Sequence, residues 1–281
     1  MKKQKSFQNE NNTLYIIPTP IGNLEDISER VLNILQSIDI LLCEDTRHTQ
    51  KLLNHFGIKI KTKSYHDFSK DNEIKKIVED LESGLNLGMV SDAGMPGISD
   101  PGYKLINEVK KINTNIVVIP GPSAFLLPLV YSGFPTDKFI FHGFLGKKKN
   151  DEIKDVMNTV LTSVIYESPH KIIKLLEMIE EIDSKRNILV ARELTKKYEE
   201  YLQGTVSEVL NHFRENDPRG EIVVIIEGKK DDEVFELSIL EHYNKLLGMN
   251  YSNKDAMKEI AAMRNMKKSD VYKTILEEKD E

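Results

Sequence analysis

Short apolar segments alternate with amphipathic ones along most of the chain, and this alternation constrains the fold more than any other feature. Segments such as IVVIP (116–120) and EIVVIIEG (221–228) are apolar on both faces, which is typical of central strands covered by helices on both sides. Between them lie segments with helical periodicity; in 28–38, for example, the apolar side chains fall on one stripe. Strands that alternate with helices predict an α/β fold with parallel sheets.

The predicted strands form two series, separated near the Pro/Gly-rich segment VIPGPSAF (118–125). They are Leu14–Ile17, Ile38–Leu42, Leu87–Ser91 and Ile116–Pro120 in the first series, and Phe139–His142, Val164–Glu167, Asn187–Ala191, Glu200–Gln203 and Ile222–Glu227 in the second. After a charged stretch at 229–233, two short helices are predicted at Asn253–Met263 and Ser269–Glu277. We therefore expect α/β domains at 1–120 and 121–230, and a small helical tail at 231–281.

Charge and cysteine content restrict the class of protein. The formal net charge of −6 argues against a protein that coats nucleic acid non-specifically, yet residues 253–273 carry six basic and three acidic side chains. This basic tail fits either RNA contact or a packing or dimer element. The one cysteine, Cys43, follows an apolar segment and predicts a buried, inert thiol rather than a nucleophile. With no apolar run of about 20 residues and no secretory signal, we expect a soluble cytoplasmic protein.

Four unusual loops follow predicted strands. They are PTPIGNLEDIS (18–28), CEDTRHT (43–49), SDAGMPGISDPG (91–102) and PGPSAF (120–125). Ordinary turn formation explains any one of them. Because ligands bind at the carboxyl ends of parallel strands, the four together predict a ligand site at one sheet edge. Asp92 is a candidate hydrogen-bond acceptor there, and Ser123 is either a ligand contact or a helix cap.

Several common catalytic signatures are absent from the sequence. No G-x-G-x-x-G follows the first strand, and there is no P-loop motif. There is no G-x-S-x-G elbow of the kind found in α/β hydrolases. The seven histidines lack metal-ligand spacing, so we expect no metal site.

In this order, the motifs resemble a known family. They are TPIGNLEDISERVLNILQSIDILLCEDTRHTQKLLNHFGI, VSDAGMPGISDPGY, PGPSA, YESPHKI, VARELTKKYEE and RGEIVVIIEG. The chain is similar over residues 14–228 to the tetrapyrrole methylase superfamily of S-adenosylmethionine-dependent methyltransferases, and EDTRHT and SDAG-x-P-x-x-SDPG resemble its branch that acts on ribosomal RNA. Members often carry Thr where Met95 stands.

The resemblance implies both a fold and a reaction. It implies two α/β/α domains of the tetrapyrrole methylase type with a helix-turn-helix-like tail, a cleft for S-adenosyl-L-methionine, and a homodimer. The implied reaction is 2′-O-methylation of a cytidine in the decoding centre of 16S rRNA within the 30S subunit. Two other functions stay open: methylation of a porphyrin-like small molecule, and a catalytically silent RNA-binding or assembly factor.

The resemblance also assigns the methyl-donor contacts and leaves the catalytic base open. The implied donor contacts are Pro18, Asp92, Ala93, Gly94, Met95, Pro96, Ser123, Ala124, Tyr166, Glu167 and Leu194. Candidates for the base are Glu167, Glu193 and Asp45, together with Glu44. A helix cap or an ion pair is the alternative explanation for each, for instance Glu193 with Lys196.

The candidate RNA contacts are basic residues in three places. Arg47 and His48 follow a strand at the active edge, where a guanidinium suits phosphate, although a helix-terminal salt bridge also explains them. Lys147 and Lys148 belong to a lysine triplet that is otherwise an ordinary solvated turn. Lys267 and Lys268 lie in the basic tail.

Overall fold

A computed structural model describes residues 3–6, 12–66, 71–146, 148–229, 237–249, 251–264 and 266–280. The chain forms two compact units, Met1–Lys229 and Lys230–Glu281, and each is described by itself. Within the described residues, no helix is both long enough and apolar enough to cross a bilayer.

The first half of the larger unit is a parallel sheet covered by helices. Its elements are β1 (Thr13–Ile16), α1 (Glu29–Ser37), β2 (Ile40–Cys43), α2 (Thr46–His55), β3 (Lys61–Ser64), α3 (Asp71–Glu82), β4 (Leu87–Val90), α4 (Tyr103–Val109) and β5 (Asn115–Val118). The strand order is β3-β2-β4-β1-β5, and every pair is parallel. Buried apolar clusters lie on both faces of the sheet, as the doubly apolar strands predicted.

The edge strand β3 was not predicted from the sequence. Its residues, KTKS, are polar and partly exposed, so they lack the apolar signal of the central strands. Charged side chains on an edge strand hinder pairing with other chains, which is a physical reason for this composition.

The second half of the larger unit contains a mixed sheet. Its elements are α5 (Leu126–Tyr131), β6 (Phe139–Phe144), α6 (Lys149–Asn158), β7 (Thr162–Glu167), α7 (Ile172–Glu180), β8 (Asn187–Arg192), β9 (Glu200–Thr205), α8 (Val206–Glu215) and β10 (Ile222–Ile226). The order is β6-β7-β10-β8-β9, and only β6 and β7 pair in parallel. The expectation of parallel pairing throughout is wrong here. Only residues 193–199 join β8 to β9, and a parallel crossover needs a dozen or more.

The smaller unit is a helical bundle with its own core. It contains α9 (Ile239–Gly248), α10 (Asn253–Met263) and α11 (Lys268–Asp280). The sequence analysis predicted two of these helices and missed α9. Residues from all three form one buried cluster, including Tyr243, Ile260 and Val271. The domain boundaries expected at 120 and 230 stay predictions.

Candidate functional site

A cavity of about 380 Å³ opens where the loops after β2, β4 and β5 face the second sheet. Its volume lies within the range of roughly 300–1,000 Å³ usual for small-molecule sites. The first half contributes Ile21, Glu44, Asp92, Ala93, Gly94, Met95, Ile98, Ser99, Asp100, Ser123 and Ala124. The second half contributes Phe144, Tyr166, Glu167, Ser168, Pro169, Gly220, Glu221, Ile222 and Val223.

The loop after β4 is held in one shape by the loop after β1. Thr19 and Gly94 exchange two backbone hydrogen bonds, with N···O distances of 2.9 and 3.0 Å. Gly94 has φ +81°, a left-handed conformation that costs other residues about 1–2 kcal/mol. A Cβ atom at this position would also lie 3.3 Å from Ile21 Cγ2. A fixed loop without a side chain at this point lets a ligand approach closely.

Two carboxylates join the ends of β2 and β4. The backbone N–H of Asp45 donates to Asp92 Oδ1 at 3.0 Å. In return, the backbone N–H of Asp92 donates to Glu44 Oε2 at 3.3 Å. Since Glu44 and Asp92 both line the cavity, they place negative charge on its wall.

Pro18 lies beneath the loop that follows β5. A Cβ atom built on Gly121 would lie only 2.3 Å from Pro18 Cγ, so the backbone at Gly121 packs directly against the Pro18 ring. Pro18 itself does not line the cavity, but Ser123 and Ala124, two and three residues beyond Gly121, do. The contact therefore sets the position of part of the wall.

Tyr166 and Glu167, at the end of β7, form the opposite wall. Burial, reinforced by the charge of Asp100, raises the pKa of Tyr166 to about 12, so its phenol is neutral at physiological pH. Glu167 is only 6% exposed; it pairs with Lys149, and its Oε1 accepts from Ser168 N–H at 2.8 Å. Both oxygens of Glu167 are therefore engaged.

Two of the carboxylates expected as a catalytic base are not part of the cavity lining. The Arg47 guanidinium hydrogen-bonds to Asp45 and holds the pKa of that carboxyl well below its usual range. Glu193 Oε1 lies 3.1 Å from Lys196 Nζ, which is the ion pair considered as the alternative from sequence. Neither Asp45 nor Glu193 lines the cavity.

The structure also adds cavity residues that sequence reasoning missed. Asp100, Phe144 and Glu221 line the cavity, although none was assigned a role. Asp100 and Glu221 lie inside the quoted blocks SDPG and RGEIVV, whereas no sequence pattern marked Phe144.

Of the expected donor contacts, Asp92–Met95, Ser123, Ala124, Tyr166 and Glu167 line the cavity, and Pro18, Pro96 and Leu194 do not. Leu194 is buried in the apolar cluster that packs the segment after β5 against the second sheet.

The basic residues expected to meet RNA lie at separate places. Arg47 is 88% exposed and pairs with Asp45 at 2.7 Å, while His48 lines a second pocket of about 280 Å³ beside α2. Lys148 lines a third pocket beside the cavity, and Lys147 lies outside the described residues. Lys267 and Lys268 are exposed in the smaller unit.

Two further residue types complete the chemical description of the site. In the part of the chain that the structure describes, no group of three or more His, Cys, Asp or Glu side chains is arranged to hold a metal ion. The expected burial of Cys43 is confirmed, and this burial raises its thiol pKa to about 11.

Comparison with known protein families identifies the family of this chain. The profile of the family described as Tetrapyrrole (Corrin/Porphyrin) Methylases matches residues 13–210, which span both sheets except β10. The chain belongs to this family. The match confirms the family resemblance and the fold class expected from the motifs.

Curated relatives that match this chain come from one branch of the tetrapyrrole methylases. The ribosomal RNA small subunit methyltransferase I of Halalkalibacterium halodurans is 40% identical over 97% of this chain and 98% of its own length. The protein of the same name from Vibrio cholerae is 39% identical over 99% of both chains. Similarity at this level over whole chains includes the smaller unit.

Solved structures share the fold at much lower sequence identity. A cobalt precorrin-4 methyltransferase of cobalamin biosynthesis aligns with a TM-score of 0.58 and 17% identity, covering 76% of this chain and 94% of that one. A diphthine synthase aligns with a TM-score of 0.62 and 11% identity, covering 80% and 94%. At these identities the likeness shows the fold alone.

Proposed function

We propose that this methyltransferase transfers a methyl group from S-adenosyl-L-methionine to the 2′-hydroxyl of a cytidine in the decoding centre of 16S rRNA. It acts on the 30S subunit in the cytoplasm. The observation that carries the proposal is whole-length similarity of 39–40% to proteins named ribosomal RNA small subunit methyltransferase I. The EDTRHT and SDAGMPGISDPG blocks, which resemble the RNA-acting branch, support the same substrate.

The residues of the cavity fit the proposed donor. Gly94 has no side chain, and Ala93 and Ala124 have small ones, so a ligand can approach this wall closely. The carboxylates of Glu44 and Asp92 lie on the same wall and favour a positively charged ligand. When bound, the donor supplies a methyl group on a positively charged sulfonium.

The residues of the chain must align the ribose oxygen with the methyl carbon and remove the proton of the 2′-hydroxyl. Methyl transfer is an in-line displacement, so holding the ribose oxygen and the methyl carbon in register accounts for much of the rate. Of the carboxylates considered as base, Glu44 lines the cavity and holds one oxygen, Oε2, against Asp92 N–H. Glu167 has both oxygens engaged. We therefore assign the base to Glu44 and a structural role in the wall to Glu167.

The proposed substrate is tested with 30S subunits from cells that lack this gene. The purified protein is expected to transfer one labelled methyl group per subunit, and mass spectrometry of the digested 16S rRNA should locate it on a cytidine ribose. A label on a base, or no label at all, contradicts the proposal. Incubation with uroporphyrinogen is expected to give no product, and a methylated porphyrinogen would favour the small-molecule alternative.

The proposed homodimer is supported by an exposed apolar surface on α5. Leu126, Val130 and Tyr131 are 43%, 75% and 56% exposed, which marks an interaction surface. We expect Val130→Asp to give a monomer at micromolar concentration by light scattering, because a buried carboxylate would lack a partner. The control is Val160→Asp, at another exposed valine, which should stay dimeric. A dimeric Val130→Asp protein would exclude α5 as the interface.

A further inference from the structure

The third pocket described above is a groove of about 570 Å³ that opens beside the donor cavity and is rich in lysine. Four lysines line it: Lys148 and Lys149 at the start of α6, and Lys171 and Lys174 at the start of α7. We call it the lysine groove. The carboxylates in its lining are Asp151 and Glu167. Since Glu167 already pairs with Lys149, three lysines are left against one carboxylate.

The placement of these lysines works against helix stability. The amino end of a helix carries partial positive charge, so lysines there cost rather than gain a few tenths of a kcal/mol. Lys148 and Lys171 occupy the N-cap positions of α6 and α7, and neither makes a side-chain capping hydrogen bond. The first turn of α6 also carries Asp151 and Glu152, which offset its lysines, whereas the first turn of α7 carries no acidic residue. An uncompensated break of a local rule, as at the start of α7, is expected at functional sites.

A groove of similar size elsewhere on the same unit shows the contrast. Between α3 and α4 lies a groove of about 650 Å³ whose three lysines face four carboxylates. That groove is therefore net negative, whereas the lysine groove is net positive. In a protein of net charge −6, the excess of lysine beside the donor cavity is a local feature.

The lysine groove and the donor cavity share part of their walls. Phe144 and Glu167 line both. Phe144 is 63% exposed, and its ring packs edge-on against Tyr166 with 5.6 Å between centroids. An exposed aromatic ring that is held in place beside several lysines is typical of sites that bind single-stranded nucleic acid. The ring stacks on a base, and the lysines follow the phosphates.

We propose that the lysine groove binds the phosphodiester backbone of the RNA beside the target nucleotide, with Phe144 stacking on an unpaired base at its edge. This inference rests on the proposed function and adds the route by which the RNA reaches the donor cavity. Lys171 and Lys174 bind phosphate, and the Lys149–Glu167 pair forms the boundary between groove and cavity.

The test compares Lys171→Ala/Lys174→Ala with a matched control, Lys75→Ala/Lys111→Ala, in the α3–α4 groove. Two measurements are made: the KM for unmethylated 30S subunits, and the Kd for a fluorescent single-stranded RNA of twenty nucleotides. Each lost phosphate contact lowers the slope of log affinity against log salt by about 0.7 for single strands. The loss of RNA affinity in the groove variant, relative to the wild type, should therefore shrink about sevenfold between roughly 50 and 200 mM salt. The control should follow the wild type.

A third variant, Phe144→Ala, tests the stacking ring, and the other outcomes either support or overturn the groove proposal. Phe144→Ala should weaken oligonucleotide binding at least about fivefold at both salt concentrations, since stacking depends little on charge. Unchanged RNA binding and an unchanged salt slope in the groove variant would overturn the proposal. So would lost 30S affinity with intact oligonucleotide binding, because the groove would then meet a ribosomal protein. If the wild type methylates no 30S subunit, the proposed function fails, and the oligonucleotide comparison still tests the groove.

Discussion

Glu44→Gln is expected to lower kcat for 30S methylation about 10²- to 10⁴-fold, the range that a general base contributes. Glutamine keeps the shape of the side chain, and its amide oxygen still accepts the hydrogen bond that Asp92 N–H donates at 3.3 Å. The wall of the cavity should therefore stay in place. The lost charge should raise the Kd for S-adenosylmethionine, measured by calorimetry, by far less than kcat falls, because Asp92 still places a carboxylate on the wall. Loss of kcat with retained donor binding would identify proton removal rather than structure.

Two further variants make this result specific. Glu25→Gln removes an exposed carboxylate in the same half of the unit and should behave as the wild type. Glu167→Gln should lose less kcat than Glu44→Gln, because both oxygens of Glu167 are already engaged. If Glu167→Gln instead loses the larger share of kcat, the base is assigned to the wrong carboxylate.

Gly121→Ala is expected to damage both stability and donor binding. The new Cβ atom would lie 2.3 Å from Pro18 Cγ and 2.8 Å from Pro18 Cβ, and a proline ring cannot rotate away. Overpacking of this kind costs about 1–3 kcal/mol, and in a unit of this size it lowers the melting temperature by roughly 2–12 °C. The strain should displace Ser123 and Ala124, and a misplacement of about 1 Å costs about 10² in kcat/KM.

Thermal melting and methyl-transfer kinetics check this prediction. The control is Gly248→Ala, where a new Cβ atom meets nothing within 4 Å and the glycine lies in a helix. That variant should melt at or slightly above the wild-type temperature, since alanine favours helix more than glycine does. A Gly121→Ala protein with wild-type melting and donor affinity would show that the Pro18 contact does not hold the wall.

The central strands and the loops that follow them were predictable because their signals are local. Apolar runs such as Ile40–Cys43 and Leu87–Val90 appear in the sequence as strands, and chain direction then places the loops after β2 and β4 at one sheet edge. The polar edge strand Lys61–Ser64 gave no such signal, since its side chains remain in water. Strand direction in the second sheet depends on pairing between distant segments, which composition does not reveal.

By itself, the sequence determined an α/β chain of the tetrapyrrole methylase family, with glycine-rich loops collected at one edge, because hydrophobic periodicity and motif order are properties of the chain. Only the tertiary structure decided which carboxylates face the cavity. The sequence does not distinguish Asp45 from Asp92, since both are aspartates that follow a strand. In the structure, the Arg47 guanidinium pairs with Asp45 outside the cavity, while the end of β4 places Asp92 in the cavity wall. The lysine groove arises in the same way, because two helix starts more than twenty residues apart meet beside the cavity, and electrostatic fields depend on distances in space.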